Sequence, residues 1–222
     1  MNSAVIQLLV LAGIAVFLIL RLRNVLGNRD GFEKPPVTGP APVDERRQAR
    51  GKFEVIEGGP DHDITDHTPE GSDSARALAA MKLAEPTFSV TEFLQGARGA
   101  YEMILVAFER GDIDSVRSFL ANDVAAVFDE VVATRAAQGL HIDADFVGVR
   151  EIALHGATFD RSSAQGEVTV RFMGELTSVV RDASGATVEG SPTDIKRQRD
   201  IWTFGRKMGS NDPNWQLVAT GE

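Results

Sequence analysis

The chain has 222 residues, 43% of them hydrophobic and 25% charged, with a formal net charge of −9 and no cysteine. That length holds one ordinary domain with appendages rather than two full domains. The acidic balance argues against a nucleic-acid partner, which needs a basic footprint. The missing thiol excludes disulfides, thiolate metal sites and cysteine nucleophiles.

The stretch AVIQLLVLAGIAVFLIL, which begins at Ala4 and ends at Leu20, is apolar apart from Gln7. As a helix it would span about 26 Å, a little short of a hydrocarbon core of about 30 Å. Met1, Asn2, Ser3 and Leu22 make up the difference if Arg21 snorkels. No Lys or Arg precedes the run and no small-x-small cleavage site follows it, so a single-pass membrane anchor fits better than a secretory signal. Arg21, Arg23 and Arg29 lie just after it, which places the N-terminus outside and the rest of the chain in the cytoplasm. Residues 1–27 are therefore the expected transmembrane anchor with its basic flank.

Residues 28–74 change character. Pro35, Pro36, Pro40 and Pro42 sit among Gly, Asp, Glu and Arg, and such a segment buries too little apolar surface to offset its ordering entropy. We expect a disordered tether. Phe53, Val55 and Ile56 form an isolated apolar triplet in it. The run DHDITDH at residues 61–67 carries metal-ligating residue types, but a flexible linker supplies no scaffold or second shell to fix them. No metal is expected there.

The folded domain is expected over residues 75–222. ARALAAMKLA at 75–84 is a short accessory helix closed by Pro86. The next stretch organises the rest. Ser89 can cap its first amides, Glu92 can reach back as a capping box requires, and Phe88 and Phe93 are placed for a hydrophobic staple. Phe93, Ala97, Ala100, Tyr101, Ile104 and Phe108 then form one apolar stripe, and Gly111 stops the helix. Gly96 and Gly99 read as spacers for close packing in mid-helix, where no free amides remain for a phosphate. Asp112 can cap a further helix at 112–120, and 123–137 continues with Val124, Val127, Phe128, Val131 and Val132 on its apolar side until Gly139.

After Gly139 the period becomes alternating. Residues 141–159 read as a long strand with Ile142, Ala144, Phe146, Gly148, Ile152 and Leu154 on one face. Val168, Val170, Phe172 and Leu176 alternate with Glu167, Thr169, Arg171 and Glu175, as in a half-buried strand. Asp182 to Gly185 is a hairpin turn and Gly190 to Pro192 another break. Residues 194–206 form a third strand with Trp202 and Phe204 on one face, and 215–220 a short fourth. The expected fold class is α+β: three helices packed on a curved, mainly antiparallel four-stranded sheet.

Four blocks now stand in order: FLQGARGAYEMILVAFERGD from Phe93, VFDEVVATRAAQG from Val127, DIWTFGR from Asp200 and PNWQL from Pro213. Together they resemble the Tim-forty-four-like family, the C-terminal domain of the forty-four-kilodalton subunit of the mitochondrial inner-membrane import translocase and its bacterial relatives. The resemblance covers about residues 78–221. It implies a cone fold similar to nuclear transport factor two, no enzymatic activity, a role connected with protein translocation, and protein or acidic-lipid partners at a membrane. A bacterial inner-membrane protein with a cytoplasmic domain fits best. The long charged region by which the mitochondrial protein engages its chaperone is replaced here by the anchor and the short tether.

No phosphate loop, dinucleotide fingerprint, zincin motif or nucleophile elbow is present, and no cofactor is expected. If the cone were hollow, the alternative is a small-ligand carrier or a pocket enzyme, and a hydrolyase or isomerase would need a base facing a stabilising donor. Asp200 is then the best candidate, since it shares strand parity with Trp202 and Phe204; its structural alternative is pairing with Arg197 or Arg199. His155, Asp145 and Tyr101 are weaker candidates, with His155 on the less buried face. Tyr101, Phe172, Trp202 and Phe204 are core residues by default and pocket walls if the cone is hollow. Lys196, Arg197 and Arg199 form the dense basic cluster outside the anchor flank, a candidate contact for acidic lipid or a solvated strand edge.

Overall fold

The computed structural model of the protein describes residues 61–221, which fall in one compact unit, Gly58–Glu222. The expected anchor, the triplet at Phe53, Val55 and Ile56, and the tether up to residue 60 lie outside the described residues. Among the described residues no helix is long and apolar enough to cross a membrane.

The tether boundary needs correction, because residues 61–74 are folded. A four-residue helix, α1 (His62–Thr65), is capped by Asp61 and buries Ile64. Helix α2 (Asp73–Ala84) follows, with the Ser72 hydroxyl accepting the Ala75 amide at 3.1 Å. The polar composition that suggested disorder instead supplies caps: Asp61, Asp63 and Ser72 each hold a free helix amide. One apolar residue, Ile64, suffices to seat the segment.

Helix α3 (Val90–Arg110) is the expected organiser. Ser89 Oγ accepts the Glu92 amide at 3.3 Å, Phe88 and Phe93 meet edge-on at 6.4 Å, and Gly111 closes the helix at φ 76°. Glu92, however, does not complete the capping box. Asp63 takes the next free amides, those of Val90 and Thr91. The glycine reading also fails, since a Cβ at Gly96 or Gly99 would meet nothing within 4 Å. Both lie on the exposed flank of α3.

Residues 113–119 form a 3₁₀ helix (Ile113–Phe119), not an α-helix, and the Asp112 side chain does not cap it. Its backbone carbonyl accepts Ser115 Oγ at 2.8 Å instead. Helix α4 (Asn122–Ala137) buries Val124 and Ala125, while Val127, expected on the apolar side, is 37% exposed. Only the first turn and the Phe128 and Val132 flank reach the core; Phe128 packs on Phe108 with ring centroids 4.6 Å apart.

Four antiparallel strands follow in the order β1 (His141–Asp160), β2 (Gln165–Arg181), β3 (Thr187–Lys207) and β4 (Gln216–Gly221). The domain is α+β, as expected. Three register shifts interrupt β1, after Phe146, Val149 and Leu154. Bulges of this kind bend a strand and switch its faces, which is why the single buried parity expected for β1 breaks and Val149 and Ala157 are buried. The break expected at Gly190 to Pro192 falls inside the continuous β3. Ser178 pairs with Ser191 and Leu176 with Lys196, so the chain between them loops out as a wide bulge. Gly190 adopts φ 81° with a hypothetical Cβ 2.0 Å from the Ser178 carbonyl oxygen, so only glycine fits there.

The helices cover the sheet face that carries Val168, Val170 and Phe172 of β2 and Trp202 and Phe204 of β3, all buried. The opposite face carries cross-strand polar pairs: Thr169 with Thr203 at 3.0 Å, Arg171 to Glu151 at 2.7 Å and Arg197 to Glu175 at 3.0 Å. Alternation along β2 thus separates an apolar face from a solvated one, as its sequence pattern requires.

Candidate functional site

Asp200 is the natural starting point, as a carboxylate in mid-strand on the apolar face. It is 7% exposed. Tyr101, projecting from the middle of α3, donates its hydroxyl to Asp200 Oδ2 at 2.5 Å, and Gln198 Nε2, two residues along the same face of β3, donates to Oδ1 at 3.0 Å. Strand periodicity places Gln198 there. Gly174 makes the contact sterically feasible: it pairs with Gln198 across β2 and β3, and a Cβ on it would stand 2.5 Å from the Tyr101 hydroxyl oxygen. Burial, then the hydrogen bond to and charge of Asp200, push the Tyr101 phenol well above the usual tyrosine range. It stays a donor at any ordinary pH.

The four aromatic residues expected in the core, or around a pocket, pack on one another. Tyr101 stacks on Phe172 at 4.4 Å with the rings 7° from parallel, and Trp202 tilts against Tyr101 at 4.7 Å. Phe204 meets Phe172 at 6.4 Å and Phe93 at 6.0 Å. Tyr101, Phe172, Trp202 and Phe204 are each 4% exposed or less. The space over Asp200 is therefore taken by rings. Register puts Arg197 and Arg199 on the opposite face, and Arg197 turns to Glu175. Asp145 and His155 are exposed on β1, away from this cluster.

The basic cluster is divided by the same alternation. Lys196 pairs with Leu176 on the helix-covered face, where its charge reaches Glu109 at the end of α3. Arg197 and Arg199 pair with Glu175 and Met173 on the solvated face. Three consecutive-looking charges thus do not make one patch. Around Glu109, burial raises the carboxyl against the pull of Arg135 and Lys196. Arg135 lies over the Phe108 ring at 4.4 Å and donates to its carbonyl at 3.3 Å.

Two further clusters were not anticipated. At the start of α3, Asp63 accepts the Val90 amide at 2.8 Å, the Thr91 amide at 2.9 Å and the Ser89 hydroxyl at 3.1 Å, while Lys82 lies 2.7 Å from both Asp61 and Asp63. Burial opposes ionisation of Asp63. The Lys82 ammonium, the Thr91 hydroxyl and the two amides outweigh it and hold the carboxyl well below the usual range. The run DHDITDH therefore works as a clasp, its two leading aspartates bound by a lysine and helix amides. Just past Lys82, at the C-cap of α2, Glu85 joins Arg206 at 2.6 Å and the Gly209 amide at 2.9 Å, and Arg206 lies over Trp215 at 5.1 Å. The sequence cue for the second cluster was weak; Arg206 shares parity with Phe204, and little else points inward.

The class defined by this architecture is an α+β domain whose core is closed by aromatic packing around one buried polar link, Tyr101 to Asp200. Residues 74–222 match the Tim44-like domain, and the chain belongs to that family. Such domains are associated with protein translocation or membrane-associated interaction. Among solved structures, the intermembrane space region of the chloroplast protein ARC6 is 14% identical, covering 58% of this chain and 94% of that one with a TM-score of 0.40. A ketosteroid isomerase-like protein from Erwinia carotovora atroseptica SCRI1043 is 17% identical, covering 57% and 89%, with a TM-score of 0.32. Neither likeness is close enough to argue from. Comparison with curated proteins returns no match.

Proposed function

We propose that this protein is a non-enzymatic adaptor: a Tim44-like domain held at the cytoplasmic face of an inner membrane by residues 4–20, binding a protein or acidic lipid there. The observation that carries the reading is the closure of the core around Asp200. With Tyr101, Phe172, Trp202 and Phe204 buried on one another, the candidate base is engaged by Tyr101 and Gln198, and a substrate would have to displace packed rings. Recognition is then left to the surface. Arg197 and Arg199 share the solvated face of β3 and are the residues we assign to acidic-lipid contact, at about 1 kcal/mol per basic residue close to an anionic surface.

The anchoring half is tested by alkaline carbonate extraction of membranes carrying the full chain, together with a reporter fused after Glu222. The expected result is retention in the membrane and activity of the cytoplasmic form of the reporter. Extraction into the supernatant, or a periplasmic reporter signal, overturns it. The lipid half is tested by flotation with vesicles containing cardiolipin. Arg197→Glu combined with Arg199→Glu should reduce flotation severalfold, and undiminished flotation removes those residues from the reading.

A further inference from the structure

The segment ahead of α2 is attached differently from everything after it. Within residues 61–72 one side chain is buried, that of Ile64. The remaining ties are polar: the Asp63 carboxylate on Ser89, Val90 and Thr91, the Lys82 ammonium on Asp61 and Asp63, and a 3.2 Å contact between His67 Nε2 and Thr91 Oγ1. Asp61, His62, Asp66 and Glu70 are exposed. A segment held by one apolar anchor and a few partly exposed polar ties opens at a lower free energy than the core beneath it.

Helix α3 has start signals of its own besides that attachment. Its own Ser89 hydroxyl holds the Glu92 amide, Phe88 and Phe93 staple the entry, and its apolar stripe is buried against the sheet. When Asp63 leaves, the Val90 and Thr91 amides pass to water, the ordinary condition of a helix start. What the rest of the core loses with the segment is one buried side chain, Ile64. The family match begins at residue 74, after the segment.

We propose that residues 61–72 form a releasable strap, latched to the start of α3 by Asp63, whose opening moves the point where the preceding chain leaves the domain from Asp61 to Ser72. Release adds up to about 40 Å of chain at about 3.4 Å per residue. The gain in reach rests on the reading of the N-terminal part as an anchored tether. The opening itself is a property of the domain and does not.

Hydrogen–deuterium exchange on the full chain, followed by mass spectrometry, tests the strap. Amides of residues 62–68 should exchange about tenfold or more faster than those at the centre of α3, with a shallower dependence on denaturant, as sub-global opening requires. Asp63→Ala should speed the strap further while leaving the centre of α3 unchanged. Strap and α3 exchanging together, with the same denaturant dependence in the unaltered chain, overturns the proposal; that comparison needs no variant and stands even if Asp63→Ala misfolds. Equal acceleration of both regions by Asp63→Ala also overturns it. A chain that carbonate extracts from the membrane but whose strap opens independently would keep the strap and remove only its consequence for reach.

Discussion

At the scale of single residues, the buried link between Tyr101 and Asp200 has the clearest consequences. Tyr101→Phe removes the hydroxyl donor to Oδ2 of a buried carboxylate. The cost should be about 1–3 kcal/mol, read as a lower urea midpoint with an unchanged slope. Gly174→Ala places a methyl 2.5 Å from the same hydroxyl and should cost about 1–3 kcal/mol by overpacking. Because both changes act on one contact, their effects should fall short of additive when combined. Additive losses would mean that Gly174 does not serve the Tyr101 hydroxyl. Part of this contact was legible beforehand. Parity put Asp200 with Trp202 and Phe204, and Gly174 interrupts the series Val168, Val170, Phe172, Leu176 where a large residue would be expected. What parity within a strand cannot supply is the partner from another element, so Tyr101 and Asp200 stood as separate candidates until α3 was laid on the sheet.

Among the elements, the C-terminal end of α2 is tied to its neighbours through two carboxylates, Asp63 and Glu85, whose ionisation is favoured in the fold. Burial opposes the charge on Asp63 and on Glu85. Lys82 with the Thr91 and Val90 donors, and Arg206 with the Gly209 amide, overcome it and lower both carboxyls. A carboxyl lowered on folding adds stability that is present above its unfolded value, about 4, and is lost as the pH falls below it. Lys82 is raised, so its contribution persists through neutral pH and is lost only in strong alkali. Urea midpoints should therefore fall between about pH 6 and about pH 3, and Glu85→Gln should flatten part of that fall. A variant with the parent's acid dependence would remove Glu85 from the account. The elements themselves were readable where a local signal sets them: Ser89, Phe88 and Gly111 bound α3, and residues 182–185 turn β2 into β3. They were misread where a tertiary contact decides. Residues 61–72 are polar enough for disorder, yet they fold because α3 offers free amides to Asp63. The bulges of β1 and β3 have no period to announce them, so the face switch at Val149 and the division of Lys196 from Arg197 and Arg199 came only with the register.

For the whole molecule, a closed core and a solvated outer face are what the proposed adaptor role, working by contact, requires. An anchor would confine that contact to a membrane and raise its effective concentration without adding any new interaction, by about a hundredfold or more for a short flexible tether. The most direct measurement is photocrosslinking in native membranes, with a photoreactive residue at Val127 or Ile195, 37% and 56% exposed respectively. The full chain is compared with the same chain lacking residues 1–57. The account predicts a discrete protein or lipid adduct with the full chain and a yield at least about tenfold lower without the N-terminal residues. No adduct above background from the full chain, or the same yield from both, would contradict it.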